Sequence, residues 1–140
     1  MKRTISYIFF LALLVLQGCV GGVYFEKIVN GYFLSAIDVK TDMLLGYQDG
    51  DFGVGVVGST VFAVGYNDEY IIVKQHPRKF PNPPDKSITN YFIVPIKDKV
   101  HASPDENKIG PLTKEEFVIK RKELGISDSL TFTKVFSELE

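Results

Sequence analysis

Apolar and polar residues change rhythm three times along this chain. Near the start, Ile8-Phe9-Phe10-Leu11-Ala12-Leu13-Leu14-Val15-Leu16 is one unbroken apolar run. From Gly31 to His76 the apolar residues come in short groups rich in β-branched and aromatic types, separated by turn formers, a pattern that marks strands. The groups predict strands at Tyr32 to Val39, Met43 to Tyr47, Phe52 to Val57, Val61 to Tyr66 and Tyr70 to Gln75. Lys40-Thr41-Asp42, Gln48-Asp49-Gly50-Asp51, Gly58-Ser59-Thr60 and Asn67-Asp68-Glu69 are the breaks between them. Asp-Gly and Asn-Asp tolerate the positive φ that tight hairpins need. Connections this short call for antiparallel neighbours, because a parallel crossover takes a dozen or more residues. The expectation is an antiparallel meander.

Within it, the hairpin of Val61 to Tyr66 and Tyr70 to Gln75 is apolar on both faces, which predicts a central position with helix on one side and sheet or tether on the other. His76 to Thr89 then holds Pro77, Pro81, Pro83 and Pro84. Proline removes a ladder donor and restricts its predecessor, so this is read as an irregular, partly extended loop. A sixth strand is predicted at Tyr91 to Lys97, with Pro95 implying an edge.

The third rhythm is helical. Thr113 is placed to accept from the Glu116 amide while the Glu116 carboxylate reaches back, and Leu112 can staple against Phe117. Gly125 supplies a left-handed terminus, with Lys120, Arg121 and Lys122 near the negative end of the dipole. The helix is predicted from Lys114 to Leu124. Beyond Ser129, Phe132, Val135, Phe136 and Leu139 fit helical spacing and suggest a weaker second helix. The fold class is therefore α+β: an antiparallel β-meander of about six strands with one or two C-terminal helices packed on it.

The beginning of the chain reads as a targeting segment. Lys2 and Arg3 form a charged start and the nine apolar residues a hydrophobic region, too short for the roughly 20 residues of a membrane span. Leu16-Gln17-Gly18-Cys19 resembles the lipobox of bacterial lipoprotein precursors. The resemblance implies cleavage between Gly18 and Cys19 and a thioether from Cys19 to a diacylglycerol. Cys19 is the one cysteine in the sequence, so it cannot make an internal disulfide. Two acyl chains meet the requirement for stable anchoring. Val20 follows the cysteine, where an aspartate would resemble an inner-membrane retention signal. The expected address is the cell envelope: the outer membrane facing the periplasm in a two-membrane host, otherwise the outer face of the cell membrane.

This reading divides the chain into a signal peptide, 1–18, a lipidated N-terminus and short tether, 19–30, and a single α+β domain, 31–140. The apolar residues Val23, Tyr24, Phe25, Ile28 and Val29 suggest that the later half of the tether packs on the domain. The chain has 16 basic and 17 acidic residues; Lys2 and Arg3 leave with the signal, so the mature part carries 14 against 17, a net charge of −3. That balance argues against nucleic acid, whose binding draws on basic side chains.

Gly65-Tyr66-Asn67-Asp68-Glu69-Tyr70-Ile71-Ile72-Val73-Lys74, Asn90-Tyr91-Phe92-Ile93-Val94, and Gly110-Pro111-Leu112-Thr113 through Gly125-Ile126 resemble a family of small bacterial lipoproteins catalogued as a domain of unknown function. The likeness spans about Gly31 to Ile126. It implies the address and the architecture and brings no catalytic role.

Candidate chemistry is sparse. Gly53-Val54-Gly55-Val56-Val57-Gly58 has dinucleotide-binding spacing, but Ser59-Thr60-Val61-Phe62 continues as turn and strand, without the helix N-terminus that holds pyrophosphate. His76 and His101 lie in different loops and are expected to be solvated, with no metal-ligand spacing around them. An EF-hand starting at Asp49 would need a bidentate Glu where Thr60 stands. No Gly-x-Ser-x-Gly elbow and no His-Glu-x-x-His helix is present, and no cofactor is implied. The loop from His76 to Ser87 offers Arg78, Lys79 and Phe80 on an extended backbone suited to protein recognition. The reading favours a non-enzymatic envelope binding module, anchored to membrane by its N-terminal lipid and meeting an envelope protein partner. Its rivals are a small envelope enzyme or inhibitor using a carboxylate cleft, and an immunity-type protein against a toxin.

Overall fold

The computed structural model describes residues 22–96 and 104–140. They form two antiparallel sheets and a C-terminal helix in three layers. The first sheet contains β1 (Tyr24–Lys27), β2 (Tyr32–Ala36), β3 (Leu44–Asp49) and β4 (Phe52–Val57), in that order. The second contains β5 (Val61–Tyr66), β6 (Tyr70–Gln75), β7 (Asn90–Pro95), β8 (Ile109–Leu112) and β9 (Lys134–Val135), ordered β8-β7-β6-β5-β9. A short helix α1 (Pro104–Asn107) precedes β8, and α2 (Lys114–Glu123) follows it. The α+β class and the antiparallel pairing stand as predicted.

Two cores separate the layers. Tyr32, Leu34, Ala36, Leu45, Val56 and Val57 of the first sheet meet Val61 to Val64, Ile71, Val73, Phe92 and Val94 of the second. On the far side of the second sheet, Ile72 and Ile93 pack with Phe117, Ile126 and Leu130. Alternation along β6 sends Ile71 and Val73 to one core and Ile72 to the other, because successive strand side chains point to opposite faces. This is the central, doubly apolar hairpin that the sequence predicts.

The single meander is corrected at Gly58-Ser59-Thr60, where the chain crosses from one sheet to the other. Thr60 is buried, its hydroxyl donates to the Thr41 carbonyl (2.7 Å), and the Val61 N–H donates to the Met43 carbonyl (2.8 Å). Val56 and Val57 before the corner and Val61 and Phe62 after it are all buried. The chain thus surfaces only at Gly58 and Ser59 and is back in the core at Thr60, as at the corners of packed sheets.

Three further expectations change. Strand β2 stops at Ala36, and a 3₁₀ turn at Lys40–Asp42 turns the chain toward β3. Strand β7 lies between β6 and β8 and is not an edge; β8 pairs with it at Tyr91 and Ile93, so Pro95 sits beyond that ladder, where its missing N–H costs nothing. The tail after Ser129 forms β9 and irregular chain in place of a second helix. Its burial alternates from Thr131 to Phe136, and the inward charged residue, Lys134, is accommodated by an ion pair with Glu26 of β1 (2.5 Å). Gly65 makes room for this tail, since a Cβ there would come within 2.8 Å of the Thr131 carbonyl carbon.

Helix α2 begins and ends as predicted. Glu116 N–H donates to Thr113 Oγ1 (3.2 Å) and Thr113 N–H to the Glu116 carboxylate (2.8 Å). At the other end Gly125 has φ +66°, its N–H reaches the Lys122 carbonyl (3.1 Å), and the Ile126 N–H reaches that of Arg121 (2.9 Å), which is the Schellman arrangement. Strand β1 falls within the segment read as a tether and pairs with β2.

Candidate functional site

The proline-rich segment after β6 is a braced loop. At its start the His76 N–H donates to the Thr60 carbonyl (3.0 Å), continuing the β5–β6 ladder to the corner between the sheets. The His76 ring is buried and stacked on Phe62, centroids 4.2 Å apart and planes 14° from parallel. Its Nδ1 lies 2.8 Å from the Ile88 carbonyl oxygen; a carbonyl only accepts, so Nδ1 carries the proton. Nε2 is buried without a hydrogen-bond partner among the described residues. The expectation of a solvated His76 is thus corrected: the loop folds back to pair Asn90 with Gln75 of β6, and it brings the Ile88 carbonyl onto the buried ring. His101 lies outside the described residues.

Polar contacts tie the loop down at several points. The Gln75 amide donates to the carbonyls of Ser59 (2.7 Å) and Gly58 (3.2 Å) and accepts from Asn90 (3.2 Å). Asp85 N–H donates to the Pro77 carbonyl (2.9 Å), and the Asp85 carboxylate accepts from the Ser87 N–H (3.0 Å) and hydroxyl (2.5 Å). Those bonds, the hydroxyl first, hold the Asp85 carboxyl below its ordinary range. Arg78 pairs with Asp42 of the 3₁₀ turn (2.6 Å) and donates through Nε to the Asn82 carbonyl (3.1 Å). Lys86 reaches the Glu140 carbonyl (2.8 Å), while Glu138 pairs with Lys40 (2.5 Å).

These restraints separate the three loop residues singled out in the sequence. Arg78 is half-buried and committed to Asp42 and the loop's own backbone. Lys79 is exposed at a turn in which the Asn82 N–H donates to the Lys79 carbonyl (2.9 Å). Phe80 is 84% exposed. The structure therefore presents Lys79 and Phe80 and uses Arg78 as a brace. Sequence reasoning missed the bracing roles of Asp42 and Lys86 and the burial of His76, because their partners lie 12 to 54 residues away.

Other candidates gather no chemistry. The glycines of Gly53-Val54-Gly55 lie in β4, with strand and not helix following Gly58. Among the described residues, the buried polar side chains are Thr60 and His76, so no pair of buried acids faces a common cleft. No cluster of three metal-ligating residues occurs among them either. An open depression of about 380 Å³ lies at the β1–β2 turn, lined by Lys27, Asn30, Tyr32 and Gln48 among others; Lys27 is its one charged side chain.

The family model described as a protein of unknown function, DUF3997, matches residues 29–136, about three-quarters of the chain. The chain belongs to the DUF3997 family. That span contains the braced loop, both sheets except β1, and α2. No curated protein and no solved structure matches the chain. Membership of DUF3997 thus gives kinship without a reaction, and Cys19 lies outside the matched span.

Proposed function

We propose that this DUF3997 protein is a lipid-anchored envelope protein whose domain is a non-enzymatic binding module. The reading rests on Leu16-Gln17-Gly18-Cys19 directly behind a basic start and a short apolar run. Signal cleavage at Gly18 and acylation of Cys19 would hold a compact β-rich domain at a membrane surface. The address would be the outer membrane, facing the periplasm, in a two-membrane host, and the outer face of the cell membrane in a host with one. The domain's contact with an envelope partner is assigned to the loop tip, Lys79 and Phe80, because the base of that loop is fixed while its apolar ring stands in solvent. A rigid loop loses little conformational entropy on binding, which favours recognition.

Mass spectrometry of the N-terminal peptide from the membrane fraction tests the anchor, and a diacylglyceryl Cys19 is the expected product. An unmodified thiol, or an amino terminus downstream of Cys19, refutes it. Cross-linking in intact cells tests the loop. Lys79→Ala with Phe80→Ala should abolish recovery of the partner, and unchanged recovery removes the loop from the proposal.

A further inference from the structure

The geometry points to the outer face of the first sheet, around Val23, Phe25 and Ile37, as the surface on which the domain rests against the bilayer. This rests on the lipid anchor proposed above. Register places the residues on one face: Tyr24 and Ala36 are paired and point into the core, so Val23 and Phe25 on one side and Ser35 and Ile37 on the other point outward. The Val23 N–H donates to the Ile37 carbonyl (3.2 Å), which sets those two side by side. Phe25 leans on Phe33, ring centroids 5.3 Å apart. Phe33 in turn lies flat over Gly46, where a Cβ would be 2.7 Å from its Cε2. Val23, Phe25 and Ile37 are each half or more exposed, and contiguous exposed apolar surface marks an interface.

The occupant follows from the attachment point. Gly22 lies against the Ala36 carbonyl, so closely that an added Cβ would be only 2.6 Å from its oxygen. From Cys19 to Gly22 is three residues, a reach of at most ~11 Å when fully extended. An acylated Cys19 sits at the headgroup level, so the corner bearing Gly22, Val23 and Ile37 is held at the bilayer and cannot swing far from it. The apolar face beside that corner is the one presented to the lipid. Lys27 lies on the same face and Asp38 follows Ile37, leaving the patch without a strong charge of either sign and suited to zwitterionic lipid. In this orientation the second sheet and α2 lie on the side of the first sheet away from the membrane.

The absence of tryptophan from the chain allows a direct test. Phe25→Trp and Ile37→Trp report on the patch. Phe52→Trp is the control, since Phe52 is exposed at the other end of the sheet, beyond Ile37 by about seven strand residues or ~23 Å. Each mature protein is extracted from the membrane fraction, its N-terminal peptide is weighed, and it is reconstituted into phosphatidylcholine vesicles with or without bromine on the acyl chains. Apolar side chains at an interface sink roughly 5–10 Å into the headgroup–acyl boundary. F25W and I37W emission should therefore shift blue and fall about twofold or more in brominated vesicles, with F52W unchanged. Equal quenching at all three positions, or none at 25 and 37, in acylated protein overturns the docking face and leaves the anchor standing. An unmodified Cys19 removes both.

Discussion

Gly65→Ala probes how the C-terminal tail is held. Gly65 is buried in the middle of β5, and the tail crosses it so closely that an added Cβ would overlap the Thr131 carbonyl group, 2.8 Å from its carbon. Ordinary carbon–carbon contact is about 3.5–4.0 Å, so the tail must retreat by roughly 1 Å or β5 must bend. Detaching the tail would expose Leu139 and the half-buried Phe132 and Phe136, and a fully buried large apolar side chain contributes about 1.5–3 kcal/mol. Local strain is the smaller loss. Overpacking of this kind costs about 1–3 kcal/mol, and the upper end applies because the obstructing atoms are backbone. For a domain of this size that is a fall in Tm of roughly 10 °C. Gly55→Ala is the matched control: Gly55 also lies inside a strand, but nothing stands within 4 Å of its added Cβ. It should leave stability unchanged or raise it by about 0.4–1 kcal/mol at most. Thermal unfolding followed by circular dichroism measures both. Hydrogen exchange should show the Phe136 amide, which donates to the Phe62 carbonyl (2.8 Å), losing protection in G65A alone. Equal Tm values for G65A and G55A would refute the reasoning.

Other consequences follow from ion pairs and hydrogen bonds. At the junction of β1 and β9, burial and then the hydrogen bond to Glu26 raise the Tyr24 hydroxyl from about 10 to about 12. The folded state therefore holds that proton more tightly, and the stability it contributes is intact below pH 10 and lost as the pH climbs toward 12. Tyr24→Phe should flatten this alkaline decline in urea titrations; an unchanged slope would assign the decline elsewhere. Glu26 is held low, first by the hydrogen bond from Lys134 and then by that from Tyr24, so its contribution disappears on the acid side, as the pH falls through its depressed value. Arg78→Ala breaks the brace to Asp42, in which the Arg78 side chain is 19% exposed. It should cost about 1 kcal/mol and speed proteolytic nicking between Lys79 and Ser87, a rate that gel electrophoresis reads directly.

The parts of the fold legible in the chain are those fixed by neighbours in sequence. Thr113 and Glu116 announce α2 because both halves of the capping box lie within one turn, and Gly125 ends it for an equally local reason. Strands β3 to β6 follow from alternation and from Asp-Gly and Asn-Asp turns. The tail could not be read this way. Phe132, Val135, Phe136 and Leu139 match a helical period, while the strand period requires Lys134 to point inward, which is tolerable only beside Glu26, 108 residues earlier. His76 gave no signal of burial, since its cover is a loop whose own restraints come from Asp42 and Glu140.

What the sequence by itself determined is the class of the domain, most of its strands, helix α2 and its family, because propensity, period and capping act over a few residues. Only the tertiary structure decided that the meander splits into two sheets at Thr60, that the tail becomes a strand over Gly65, and that Arg78 braces while Lys79 and Phe80 project. Each of those depends on which distant group satisfies a buried hydrogen bond, a charge or a missing side chain. That pairing is settled when the layers come together.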